Sequence, residues 1–138
     1  AARPEIAIGA DLIAGFPTET ETMHANSRLI IDDCDIVFGH IFPYSPRSGT
    51  PAALMPQVAP AIAKARAAEL REISAGRRAQ WLASLVATQQ QVLVERSGRR
   101  GHAANFATVD LSTTFAPGSI VEVRIMASDG ETLFGHPA

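Results

Sequence analysis

Two almost continuously apolar runs, IAIGADLIAGF (residues 6–16) and DIVFGHIF (35–42), enclose a stretch of helical period. This order constrains the fold more than any other feature of the chain. A run that is apolar at successive positions reads as a parallel strand covered on both faces. Between the runs, Thr18 is followed three residues later by Glu21, a capping box that predicts a helix from near Glu19. Met23, Ser27, Ile30 and Cys34 then recur at helical spacing and are expected to share its buried face. Strand, helix and strand make one βαβ unit, a connection that is right-handed in nearly all proteins. One such unit has two open sheet edges and little core. Residues 1–57 are therefore expected to be the last part of a larger α/β domain.

The loops that leave the two strands, GFPTET and FPYSPRSGT, are expected side by side, because α/β folds bind ligands at the carboxyl ends of their strands. Residues 58–88 are rich in Ala, Arg, Glu and Leu. Val58, Ile62, Ala65 and Ile73 form a predicted helical stripe with Leu70 beside it. Gly76 is expected to weaken the helix, and RAQWLASLVATQ to continue it after a kink. The period then changes. QQVLVER alternates apolar and polar residues, and NFATVDL, SIVEVRIMA and ETLFGHP read as further short strands. SGRRGH, APG and SDG read as turns between them. Residues 89–138 are thus expected to form a small antiparallel β-barrel, with the boundary near Thr88.

Hydrophobic residues make up 46% of the 138 and charged residues 19%, the balance of a folded chain. A net charge of −2 leaves any nucleic-acid binding to a local patch. A single cysteine, Cys34, excludes a disulfide within the chain and any site built from several thiolates. It fits a reducing, cytoplasmic compartment. No apolar run approaches the ~18 residues of a membrane helix, so no membrane partner is expected. The residues ahead of the first apolar run do not read as a signal peptide.

Asp11 reads as a strand-end group satisfied by backbone donors, His24 as a solvated helix residue and His40 as a hydrogen-bonded core histidine. No two histidines have a metal-ligand spacing. Tyr44, Ser45 and Arg47 stand in the second loop, where an arginine suits phosphate because its planar fork donates in pairs. The bland alternative is a rigid Pro-rich loop whose arginine pairs with a carboxylate. Arg96, Arg99, Arg100 and His102 form a basic cluster followed by Asn105 and Phe106, with Arg124 on a later strand. Cations for phosphate beside a ring for stacking suit single-stranded RNA. The alternative is a solvated hairpin tip with Phe106 in the core. Arg66, Arg71, Arg77 and Arg78 read as a solvated helix face able to extend an RNA footprint.

GADLIAGFPTET, then HIFPYSPRSGTPAALMPQV, an Arg-rich helix and a barrel containing GHAANF resemble the C-terminal part of the radical-SAM tRNA methylthiotransferases. The similarity is greatest to the branch that acts on threonylcarbamoyladenosine at position 37 of tRNA. FPYSPRSGTPAA is its most specific segment. Thr18 stands where the family commonly has Gly, and Phe106 where it more often has Tyr. The resemblance implies the end of a partial (β/α) radical-SAM barrel over 1–57, a linking helix over 58–88, and a TRAM domain, an OB-like RNA-binding barrel, over 89–138. It implies S-adenosyl-L-methionine (SAM) and two [4Fe–4S] clusters in the whole protein. Ile13, Gly15, Phe16 and Phe42 would lie on the SAM side, and Tyr44, Ser45 and Arg47 toward the substrate. Arg96, Arg99, Arg100, His102, Asn105, Phe106 and Arg124 would meet the tRNA anticodon loop, in a monomeric, cytoplasmic enzyme. The cluster cysteines are absent here, so these 138 residues are expected to be inactive by themselves. A stand-alone RNA-binding module, or a methylthiotransferase acting on a ribosomal protein, are the alternatives.

Overall fold

The computed structural model describes residues 6–138. Two strands, β1 (Ile8–Ala14) and β2 (Ile36–Pro43), pair in parallel around helix α1 (Glu21–Asp33). After a short 3-10 turn at Pro51–Leu54 comes the long helix α2 (Pro60–Ser84). Five strands then close a barrel in the order β3 (Gln89–Val94), β4 (Arg100–Ala103), β5 (Thr108–Leu111), β7 (Leu133–Pro137), β6 (Ile120–Ser128). The chain divides into two compact units inside α2. One is Ile8–Arg77 and the other contains Arg78–Ala138.

In the first unit both helices cover the same face of the two-stranded sheet. Ala14, Ile36 and Ile41 meet Ile31 of α1 and Ala67 and Leu70 of α2, with Ala10, Leu12 and Ile73 packed against them. Each fully buried leucine or isoleucine in such a cluster stabilises by about 1.5–3 kcal/mol. The opposite face carries Asp11, Ile13, His40 and Phe42, all exposed. The expectation of strands covered on both faces is therefore not met within the described residues, because two strands with both helices on one side leave the other side open. For the same reason His40 is not a core histidine and Asp11 is not buried.

Several local expectations are corrected. Thr18 does not cap α1, since its φ is +67°; Thr20 is the N-cap and its hydroxyl accepts from the Met23 N–H at 3.2 Å. The buried stripe of α1 runs through His24 and Ile31, while Met23, Ile30 and Cys34 are exposed. His24 can turn inward because its Nε2 meets the Glu69 carboxylate at 2.8 Å. That bond, with Arg28 nearby, holds Glu69 below its ordinary value. On α2 the buried residues are Ala63, Arg66, Ala67, Leu70, Ser74, Trp81 and Leu82, while Ile62 and Ala65 face outward. The helix runs through Gly76 without a break, since packed residues on either side offset a glycine cost of about 1 kcal/mol.

The barrel alternates as its period predicts. Val92, Val94, Ala103, Val109, Leu111, Val123, Ile125 and Leu133 point inward. SGRRGH is more than a turn, because Arg100–Ala103 is a strand paired to both β3 and β5. Gly101 makes this possible: a Cβ there would lie 2.3 Å from the Leu93 carbonyl oxygen. The pairs are antiparallel except β5–β7, which closes the barrel in parallel.

Candidate ligand edge and nucleic-acid interface

The two strand-exit loops lie side by side. The Tyr44 N–H donates to the Ala14 carbonyl at 2.8 Å, and the Thr18 N–H to the Pro56 carbonyl at 3.1 Å. Ile13 and Phe42 are register partners on the open sheet face, 55% and 54% exposed, next to the Asp11–His40 pair. Phe16 meets Tyr44 edge-on with ring centroids 5.2 Å apart. Gly15 does not join Ile13 and Phe42. It is buried against α2, where an added Cβ would lie 2.3 Å from the Ala63 Cβ, and its φ is +71°. Its N–H donates to the Glu19 carboxylate at 2.9 Å. Of the four residues expected on one ligand face, two thus share the open face, one meets Tyr44 edge-on and one is the contact point with α2.

In the loop, Ser45 and Arg47 are exposed. The Arg47 carbonyl accepts from the Thr50 N–H and hydroxyl, which fixes the turn. Its guanidinium has no carboxylate partner among the described residues. A cleft of about 490 Å³ opens beside this loop and takes in Gly15, Tyr44 and Ser45.

Sequence reasoning missed what anchors this edge. Arg66, buried on α2, donates to the Glu19 carboxylate at 2.8 Å, to the Glu19 carbonyl at 3.1 Å and to Glu21. The side chains of Arg66 and Glu19 are each 8% exposed. The signal was present as a carboxylate in GFPTET, but nothing local says that an arginine 47 positions away completes it.

On the barrel the structure separates the basic cluster by partner. Arg100 grips Asp110 with two bonds of 2.6 and 2.8 Å, and His102 meets Glu95 at 2.9 Å. Arg99 donates to the Thr114 hydroxyl at 3.2 Å. Arg96, Arg99 and Arg124 are exposed and have no carboxylate partner among the described residues. Asn105 supports its turn by accepting from the Ala107 N–H at 3.2 Å. Phe106 is not in the core; it is 75% exposed with φ +65°. The structure also separates these residues in space. Arg96 and Arg99 lie in the β3–β4 turn. Phe106 lies in the β4–β5 turn, at the end where Gln89 pairs with Arg124. The length of β4 divides the two sets by about 10 Å, at ~3.3 Å per residue.

The Asp110 carboxyl is pulled below its ordinary value of 3.8, first by its hydrogen bond from Arg100. Asp129 is lowered too, by the backbone N–H groups of Glu131 and Thr132. A depressed carboxylate stabilises the fold above its unfolded value and loses that contribution as pH falls through the folded one. Barrel stability, followed by Trp81 fluorescence during urea unfolding, should therefore fall as pH drops below about 3.8. Arg100→Gln should shrink that acid-induced loss, and an unchanged acid loss in the variant would contradict this assignment.

Among the described residues no group of three or more His, Cys, Asp or Glu is placed to hold a metal ion. Among them, too, no helix is long and apolar enough to cross a membrane.

No family model matches the chain. It is 40% identical over 126 residues, 91% of its length, to the threonylcarbamoyladenosine tRNA methylthiotransferase MtaB of Rickettsia prowazekii, covering 30% of that protein. It is 34% identical to the tRNA-2-methylthio-N(6)-dimethylallyladenosine synthase of Chromobacterium violaceum, over 99% of this chain and 32% of that one. It is 37% identical to the protein of the same name from Nitrosomonas eutropha, over 97% of this chain and 32% of that one. The chain spans about a third of the length of the curated relatives it matches. Over nearly all of its own length, it is a homologue of the tRNA methylthiotransferases.

Proposed function

We propose that this chain is the ligand-edge and RNA-binding portion of a radical-SAM enzyme that adds a methylthio group to C2 of an N6-modified adenosine at position 37 of tRNA. Homology over nearly the whole of this chain to about a third of the tRNA methylthiotransferases carries the reading. The open sheet face supports it, since parallel sheets are ordinarily covered on both sides and a two-stranded pair open on one face is what the end of a partial (β/α) barrel would leave. In this reading residues 1–57 close that barrel, 58–88 link, and 89–138 are the TRAM domain. Ile13 and Phe42 would present an apolar wall to SAM, with Phe16 bracing Tyr44. Tyr44, Ser45 and Arg47 would face the substrate. The one cysteine of this chain does not fit a [4Fe–4S] cluster, which needs several thiolates, so no residue here is assigned to the clusters. The threonylcarbamoyl substrate is favoured over the dimethylallyl one by the higher identity to the Rickettsia protein.

For RNA, the geometry favours a strand laid along the barrel wall. Arg96 and Arg99 would take phosphates at one end; Phe106 would stack a base at the other, with Arg124 beside it. Binding of a tRNA anticodon stem-loop should weaken steeply with salt. Phe106→Ala should lower affinity roughly fivefold to a hundredfold, the loss of one stacked base, without changing the unfolding midpoint. Arg99→Gln should also weaken binding. Arg100→Gln should do so less, because its charge already serves Asp110. Equal affinities for the parent, Phe106→Ala and Arg99→Gln would refute the interface. The chemistry is tested separately by exchanging this chain for the matching third of a relative. A chimera that binds tRNA but forms no methylthio product would count against the catalytic reading.

A further inference from the structure

We propose that the cleft between the 43–46 loop and the first turns of α2 binds a nucleoside phosphate, with Lys64 and Arg71 taking the phosphate and Tyr44 and Ser45 completing the site. The cleft measures about 490 Å³. That suits a mononucleotide and is far larger than an inorganic ion needs. Lys64 and Arg71 both line it, and among the described residues no carboxylate does. They stand seven residues apart on α2, two turns along one face. The site is thus locally cationic in a chain of net charge −2.

Their freedom sets these two cations apart from their neighbours. Arg28 meets Glu69, Arg66 meets Glu19 and Glu21, and Arg77 meets Asp35. Neither Lys64 nor Arg71 has a carboxylate partner among the described residues. Arg71 is nevertheless held in place. Its Nε and Nη2 both donate to the Ile41 carbonyl, at 3.1 and 2.8 Å. One edge of the guanidinium is fixed to the end of β2, and the Nη1 hydrogens remain for an incoming oxyanion. A preorganised arginine fork, an ammonium and two hydroxyls form a donor set for a phosphate. Val58 and the loop prolines give an apolar wall for a sugar or base. The site lies on the helix side of the sheet, away from the open face of Ile13 and Phe42. It does not depend on the reading of the chain as part of a methylthiotransferase.

The phosphate could belong to a free nucleotide or to one residue of an RNA strand, and the experiment separates them. The full 138-residue chain, labelled with ¹⁵N, is titrated with adenosine 5′-monophosphate, with unphosphorylated adenosine, and with a short single-stranded oligoribonucleotide. Backbone amides within 44–46 and 60–71 should shift saturably with the two phosphorylated probes and far less with adenosine. Lys64→Glu should raise Kd at least about tenfold, the worth of one charge-assisted contact. Lys64→Gln should fall between it and the parent. Tighter binding of the oligoribonucleotide assigns the site to an RNA strand, and tighter binding of the mononucleotide to a free ligand. The proposal is overturned if neither phosphorylated probe shifts these amides, or if Lys64→Glu leaves Kd unchanged. Because the readout is local, Phe106→Ala should not alter it with adenosine 5′-monophosphate. Failure of the barrel interface and failure of this cleft are therefore distinguishable.

Discussion

Gly15→Ala should destabilise the Ile8–Arg77 unit by about 2–5 kcal/mol. Two independent costs add. The left-handed backbone at φ +71° costs an L-residue about 1–2 kcal/mol. The new methyl would sit 2.3 Å from the Ala63 Cβ and 2.7 Å from its Cα, contacts that no rotamer change relieves. Overpacking of this kind costs about 1–3 kcal/mol more. Native-state hydrogen exchange of the β1 and β2 amides measures the effect within the unit concerned. Gly49→Ala is the internal control. Its φ is +82° but nothing lies within 4 Å of the added carbon, so the backbone cost alone should appear. Equal losses in the two variants would show that the contact with α2 is not tight. A loss at Gly15 under about 1 kcal/mol would refute both costs together.

Arg66→Met should destabilise the same unit by about 3–5 kcal/mol, because it leaves the Glu19 carboxylate buried with its cation removed. Glu19 would retain the Gly15 N–H as a donor, which caps the loss. Arg66→Met combined with Glu19→Gln should be closer to the parent than the single variant, since the stranded charge is gone. A double-mutant cycle by urea unfolding gives the coupling. If the double variant loses as much as the two single changes summed, the pair is not coupled and the buried bridge has no special role. The same experiment bears on the ligand edge. Arg66 ties α2 to the loop after β1, so its loss should also loosen the neighbouring Phe16–Tyr44 contact, visible as added mobility of the Tyr44 ring.

Local pattern located most elements. The two apolar runs became β1 and β2, and the change of period near Thr88 became a closed barrel. What it misjudged were matters of rotation and partner. The buried stripe of α1 lies one position round from the expected one, on His24 rather than Met23. A polar residue can occupy that face only because Glu69, far along the chain, receives it. Likewise the Thr18–Glu21 spacing pointed to Thr18 as the cap of α1. The choice falls on Thr20 because the chain must first turn through a left-handed residue at Thr18. β4 was hidden in SGRRGH because its inward positions are Gly101 and Ala103, too small to show an apolar alternation.

The candidate site was legible by residue type more than by arrangement. The cations and the aromatic of the barrel were all visible in the sequence. That Arg100 and His102 serve carboxylates, while Arg96, Arg99 and Arg124 do not, depends on which side chains the register of β3, β4 and β5 sets opposite one another. The same holds for Arg71, one arginine among several on α2 until β2 supplies a carbonyl to fix it. The sequence by itself determined the order of the elements other than β4, the two periods and the homology to tRNA methylthiotransferases, because these follow from neighbouring residues along the chain. The tertiary structure alone decided which charges are spent, which aromatic is exposed and where a cleft opens, because each depends on groups that folding brings together, from ten residues apart for Arg100 and Asp110 to 47 for Arg66 and Glu19.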